Sequence, residues 1–194
     1  MRKLLYHAPA VDPKKIVSLN TIAAQQSKIS HETSKKVVQL LNYVATHPDA
    51  ITRYHAGGMT LHMHSDASFL SEPGAKRRSG GYHYFSEPLS DPKKPPHNPI
   101  NEPIHVECTT MKNVLANATE AELGELFLNC QLGSALRISL KEMGHHQPPT
   151  PVVTEIATSD GFLNDNIRQR KSRAIYMIFY LVQYRVRQGH EIAY

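Results

Sequence analysis

Met59-Thr60-Leu61-His62-Met63-His64-Ser65-Asp66 decides how the chain is read, because the period of its apolar residues changes there. Leu61, Met63 and Ser65 alternate with Thr60, His62, His64 and Asp66, and side chains that alternate with period two belong to a β-strand. Upstream the spacing is helical. Residues up to about 50 read as two helices, the first opened by Asp12-Pro13 as N-cap and proline at N1. Its apolar stripe is Ile16, Val17, Leu19, Ile22 and Ala23. The second uses Val37, Val38, Leu40, Leu41 and Val44 and stops before His47-Pro48, where the residue ahead of a proline disfavours helix.

Downstream, Gly74 to Gly81 reads as a basic turn, and Tyr82-His83-Tyr84-Phe85 as a second strand by its aromatic content. Glu87 to Pro103 is rich in proline, asparagine and lysine, which marks a loop. Ile104 to Cys108 reads as a third strand. Asn117 can cap a helix with Glu120 three positions on, and Leu123, Leu126, Phe127 and Cys130 follow the i, i+3, i+4, i+7 stripe. A further helix covers Leu132 to Met143 and ends at Gly144. Val152 to Ile156 is a short strand, Asp160 to Asn166 a short helix or loop, and Arg168 to Arg173 a basic connector. A fifth strand is expected at Ala174-Ile175-Tyr176, before a largely buried helix, Met177 to Val186, that ends at Gly189. This order predicts an α/β fold with a mixed five-stranded sheet: three antiparallel strands, then two parallel ones reached through helical crossovers. The expected division is a helical connecting segment, 1–50, and a sheet-bearing domain, 51–194.

At 194 residues the chain is long enough to bury a core. Its formal charge of +5 leans toward a polyanionic partner, because basic surfaces concentrate phosphate backbones. Cys108 and Cys130 form no disulfide framework or zinc motif and read as small apolar residues of a reducing compartment. No apolar run approaches the roughly 18 residues that span a bilayer, and the N-terminal apolar stretch is too short for a secretory signal. An intracellular protein, cytoplasmic or nuclear, is expected, with no membrane partner.

The carboxylates carry the chemistry. Two-metal nucleases hold Mg²⁺ ions about 4 Å apart, one activating water and one stabilising the leaving oxygen. Mg²⁺ takes hard oxygens in near-octahedral geometry, so such sites draw aspartates and glutamates from several elements. Asp66 at a strand end and a glutamate of the following helix meet the first requirements. Glu120 and Glu122 lie at opposite edges of the apolar stripe, and periodicity does not choose between them. His62, His64 and Asp66 share a strand face in an H-x-H-x-D run, a zinc-hydrolase-like pattern; Ala67 stands where that pattern has another histidine. Two basic clusters, Lys76-Arg77-Arg78 and Arg168 to Arg173 with Arg170 and Lys171, suit phosphate contacts. Solvated surface side chains are the plainer alternative for each.

Seven segments in series resemble the ribonuclease H region that closes the polyprotein of copia-type LTR retrotransposons. They are QLLNYVATHPDA (39–50), LHMHSDASFLSE (61–72), RRSGGYHYF (77–85), PIHVE (103–107), ATEAELGELFLNC (118–130), PPTPVVTE (148–155) and RQRKSRAIYMIFYLVQYRVRQG (168–189). The first thirty residues resemble the end of the connecting region before that domain, and no polymerase motif is present. The resemblance implies a ribonuclease H-like fold that cleaves the RNA strand of RNA/DNA hybrids with two Mg²⁺ or Mn²⁺ ions. It implies Asp66 and Glu122 as ligands, which selects Glu122 over Glu120. The third ligand, an aspartate in the family, is Glu155 here. The fourth place, also an aspartate, holds Tyr176. A glutamate is one methylene longer than an aspartate, and a phenol with a pKa near 10 stays neutral at pH 7. A weakened or lost activity is therefore expected. The alternative expectation is a non-catalytic module that binds nucleic acid or protein, with zinc-dependent hydrolysis more remote.

Overall fold

The structure, a computed structural model, describes residues 2–49, 51–72, 76–90, 100–111, 118–154, 173–189 and 191–193. The chain divides into two compact units, Met1–Tyr54 and His55–Tyr194.

The first unit is helical. It contains α1 (Arg2–Val11), a 3-10 turn (Pro13–Lys15), α2 (Ile16–Ala24) and α3 (His31–Thr46). The two expected helices correspond to α2 and α3, and α1 is an additional helix ahead of them. Asp12-Pro13 does begin a helical stretch, but the Asp12 side chain makes no capping hydrogen bond. Its carboxylate meets Lys15 Nζ at 2.7 Å, and both side chains are buried. A buried lysine must keep its counter-charge, so Asp12 is spent on the ion pair. The start of α3 is a capping box: Ser30 Oγ accepts from Thr33 N, and Ser30 N donates to Thr33 Oγ1.

The second unit is built on a five-stranded mixed sheet in the order β3-β2-β1-β4-β5. The strands are β1 (Thr60–Glu72), β2 (Lys76–Ser86), β3 (Pro103–Met111), β4 (Thr150–Thr154) and β5 (Glu191–Ala193). β1, β2 and β3 pair antiparallel, while β4 joins β1, and β5 joins β4, in parallel. The fold is thus α/β with a mixed sheet. Between strands run α4 (Ala118–Glu142) and α5 (Arg173–Arg187).

Four expectations are corrected. The β1–β2 hairpin extends from Thr60↔Ser86 out to Glu72↔Lys76, so Arg77 and Arg78 lie on a strand rather than in a turn. Residues 118–142 form one continuous helix instead of two, and it ends where Gly144 takes φ +85°. Residues 174–176 belong to helix α5, and the fifth strand is the three-residue segment Glu191–Ala193 beyond it. Finally, α5 is not largely buried in its described part: Tyr180, Leu181 and Tyr184 are exposed, while Val182 and Gln183 are covered. A helix that packs one side against α4 needs apolar residues on that side alone. The expected elements at 160–166 and 168–172 and the Asn117 cap lie outside the described residues.

Helix α4 is held on the sheet by two kinds of contact. Along its middle an apolar cluster joins Leu126 and Cys130 to Met63 of β1, Val152 of β4 and Val182 of α5, with Phe127 and Val186 packed against it. Each such side chain contributes about 1.5–3 kcal/mol by leaving water. Next to it, Asn129 reaches down to the strands. Its Nδ2 donates to Ser65 Oγ (2.9 Å) and the Gly80 carbonyl (3.2 Å), and within the helix to Glu125 Oε1 (2.7 Å). A Cβ on Gly81 would fall 2.0 Å from Asn129 Oδ1, so the carboxamide enters only because residue 81 has no side chain.

This makes a coupled pair. Gly81→Ala should destabilise the domain by about 2 kcal/mol, within the usual range for overpacking. In an Asn129→Ala background the same change should cost at least 1 kcal/mol less by about the same scale of coupling. Urea denaturation of the four proteins of the cycle measures this; strict additivity would contradict the close approach.

Candidate functional site

Asp66 lies within β1, opposite Gly80 of β2, and the strand continues beyond it. It therefore does not end the strand; it sits one residue past the pair Ser65↔Thr154, where the parallel register with β4 stops. Ser65 receives its hydrogen bond from α4. Asp66, the next residue, is exposed. Glu122, on the first turns of α4, is buried at 7 % exposure. Glu155 lies outside the described residues, and Tyr176 is on the helical backbone of α5.

The described residues hold no group of three or more histidine, cysteine, aspartate or glutamate side chains placed to bind a metal ion. Asp66 and Glu122 alone are fewer anionic oxygens than the Mg²⁺ sites of two-metal nucleases use. Glu155 and the side chain of Tyr176 lie outside the described residues, so Asp66 and Glu122 are the part of the expected ligand set that the structure describes.

The histidine run is engaged elsewhere. His62 Nε2 contacts the Glu87 carbonyl at 2.9 Å and His64 Nε2 contacts Tyr84 Oη at 3.1 Å. The Tyr84 ring stands between the two imidazoles, 5.4 Å from each. Burial lowers the pKa of both histidines and pushes the Tyr84 phenol up to about 12. Tyr84 is thus a buried packing residue, and Tyr82 donates its hydroxyl to the Asn101 carbonyl at 2.8 Å.

Of the basic residues, Arg78 is half-buried, with Nη1 3.7 Å from Cys108 Sγ. Lys76 and Arg77 lie on the β2 backbone, and Arg173 opens α5. Arg168, Arg170 and Lys171 are outside the described residues. No helix among the described residues is long and apolar enough to cross a membrane.

A cluster that the sequence did not reveal lies under the first half of α4. Glu125 and His83 are fully buried, and Asn129 links them: Glu125 Oε1 accepts from Nδ2 at 2.7 Å, and His83 Nε2 meets Oδ1 at 3.3 Å. Since Oδ1 can only accept, His83 carries its proton on Nε2. Burial pushes the Glu125 carboxyl up to about 7; the Ser79 hydroxyl and Asn129 draw it down, and Glu107 and Glu122 push it further up. Ser79 Oγ stands close enough for that effect while missing hydrogen-bond geometry, as does Glu125 Oε2. Burial, reinforced by His105, lowers His83 to about 4, with Asn129 and Glu107 opposing. His105 Nε2 stands 3.6 Å from Glu107 Oε2, longer than an ordinary hydrogen bond, and this contact holds Glu107 below its usual range. Alternation could have placed His83 and Glu107 on one face, but the shared partner on α4 is a tertiary fact.

No family model matches the chain, and no curated protein matches it in sequence. Solved structures resemble it in the course of the backbone. The N-terminal RNase H domain of Rv2228c from Mycobacterium tuberculosis, solved as a fusion with maltose-binding protein, is 12% identical with a TM-score of 0.48, over 71% of this chain and 81% of that one. RNase H1 from the halophilic archaeon Halobacterium salinarum is 10% identical, with a TM-score of 0.42 over 68% of this chain and 76% of its own. LC11-RNase H1, in complex with an RNA/DNA hybrid, is 9% identical, with a TM-score of 0.48 over 70% of this chain and 83% of its own.

Glu125 and His83 should tilt the pH dependence of stability in opposite directions. Between about pH 4.5 and 7 folded Glu125 keeps a proton that the unfolded chain has released, so its contribution falls as pH rises. Between about pH 6.5 and 4 folded His83 lacks a proton that the unfolded chain binds, so its contribution falls as pH drops. In the shared window the slopes offset. Relative to wild type, Glu125→Gln should gain stability from pH 4.5 to 6.5, and His83→Asn should lose it, each by about 2–3 kcal/mol. Urea midpoints at several pH values read both; equal slopes in all three proteins would refute the assignment.

Proposed function

We propose that the chain is a ribonuclease H-like domain of a copia-type retroelement polyprotein, whose hydrolysis of the RNA strand of RNA/DNA hybrids is weakened or lost. The observation that carries the reading is the sheet. Its three antiparallel strands and the parallel β4 beyond β1 are the arrangement implied by the resemblance of the seven segments. Asp66 stands just past the Ser65↔Thr154 pair, and Glu155 follows Thr154 in the sequence. The parallel pairing of β1 with β4 supports the reading, since the family carries its first and third ligands on those two strands.

Asp66 and Glu122 are the two family ligands kept in type, and they would hold Mg²⁺ or Mn²⁺ together with Glu155. The ions, when bound, would activate water and stabilise the leaving oxygen. The extra methylene of Glu155 would displace its carboxylate by about 1 Å, and an error of that size costs on the order of 100-fold in rate. Tyr176 offers a neutral phenol in place of the fourth carboxylate. A domain so altered keeps its basic character, with a net charge of +5, and acts by binding nucleic acid.

The deciding assay is cleavage of a labelled RNA/DNA hybrid with Mg²⁺ or Mn²⁺. Wild type should cut at least about 100-fold more slowly than the double variant Glu155→Asp with Tyr176→Asp, and Asp66→Asn should abolish whatever cleavage remains. Efficient wild-type cleavage that Asp66→Asn removes would establish a working enzyme instead. A silent double variant would remove the assignment of those two positions.

A further inference from the structure

A cleft of about 580 Å³ opens between the second half of α4, α5 and the segment leading into β4. Its α4 wall is formed by Arg137, Ile138 and Lys141, where Lys141 neighbours Arg137 at i, i+4 spacing and Ile138 at i, i+3. The α5 wall presents Leu181, Tyr184 and Arg185, again neighbours on one face. His146 and Gln147 close one side. No acidic side chain is among its described lining residues, and four of them are basic in type. Tyr184 is 61 % exposed, and its ring stands among these basic groups.

Two of the cations are held in place by backbone. Arg137 donates to the Pro148 carbonyl, to Thr150 Oγ1 at 2.8 Å and to the Gln147 carbonyl at 3.1 Å. Arg185 Nη1 donates to the Cys130 carbonyl at 2.5 Å. These carbonyls orient the guanidinium planes before any ligand arrives, which lowers the entropy lost on binding. Lys141 and His146 are exposed at the rim.

We propose that this cleft binds single-stranded nucleic acid, with Arg137, Lys141 and Arg185 meeting phosphates and Tyr184 stacking on a base. Positive charge next to an exposed aromatic ring is the combination that single strands use, since every base has a stackable face. An acidic peptide would use the charge but leave the tyrosine ring without its planar partner. The cleft lies along α4 from Arg137 to Lys141, roughly 22 to 28 Å from Glu122 at 1.5 Å per residue. It is therefore separate from the candidate metal ligands. The proposal deepens the reading of a nucleic-acid-binding domain, and rests on it.

The test is fluorescence anisotropy of a labelled twelve-nucleotide oligothymidylate, in EDTA so that no divalent ion contributes. Lys141→Glu should weaken binding by about tenfold and lower the salt slope by about 0.7, the value for one phosphate on a single strand. Tyr184→Ala should weaken binding at least about fivefold with the salt slope unchanged. Lys28→Glu, an equal charge change on an exposed residue of the helical unit, should stay within twofold of wild type. Equal losses for Lys141→Glu and Lys28→Glu would overturn the proposal in favour of diffuse attraction. A silent Tyr184→Ala, or polyglutamate competing as well as the oligonucleotide, would also overturn it. Hybrid cleavage and its response to Asp66→Asn report on the activity alone, so failure of either reading is seen separately.

Discussion

Asn129 is the contact on which the second unit turns. One carboxamide bridges α4 to β1 through Ser65, to β2 through Gly80 and His83, and to its own helix through Glu125. Two amide hydrogens serve three acceptors, so the bonds are shared and the side chain has one useful orientation. The bare Gly81 backbone makes room for it. Since α4 carries Glu122 at one end and Arg137 and Lys141 at the other, this contact sets where both candidate sites stand relative to the sheet.

Two neighbouring strips along the same turns of α4 are held by different physics. The strip of Leu126 and Cys130 rests on Met63, Val152 and Val182, where apolar burial supplies stability without direction. The strip beside it brings Glu125 and Asn129 onto His83 and Ser79 of β2, all buried and polar. A buried carboxyl with a pKa near 7 and an imidazole that stays neutral cost more than an apolar filling would. What they add is register, because hydrogen bonds are directional and a helix sliding by one residue would strand them. Glu122 inherits its position from that register.

Much of the fold could be read along the chain. The alternation at Leu61, Met63 and Ser65 marked β1, the Leu123, Leu126, Cys130 stripe marked the buried side of α4, and Gly144 and Gly189 marked helix ends, both with positive φ. Other elements misled for identifiable reasons. Gly80 and Gly81 looked like a turn, whereas they are strand residues, and Gly81 leaves the room that Asn129 of α4 enters. Ala174-Ile175-Tyr176 is apolar enough for a strand, and a run of three residues cannot distinguish strand from the first turn of a helix. Asp66 was legible as a candidate ligand, but its place within a longer strand depends on pairing with β2.

Taken alone, the sequence determined which stretches are amphipathic and with what period, hence an α/β chain, the residue types available as ligands and the excess of positive charge. Those properties are local, and side-chain chemistry with backbone sterics is enough to settle them. Tertiary structure decided which faces meet. It put Glu125, His83 and Glu107 under one helix, brought Ser65 of β1 to Asn129 of α4, and set a tyrosine of α5 beside the arginine and lysine of α4. Such meetings join residues from 18 to 64 positions apart or more, and only burial of the shared core brings them within reach.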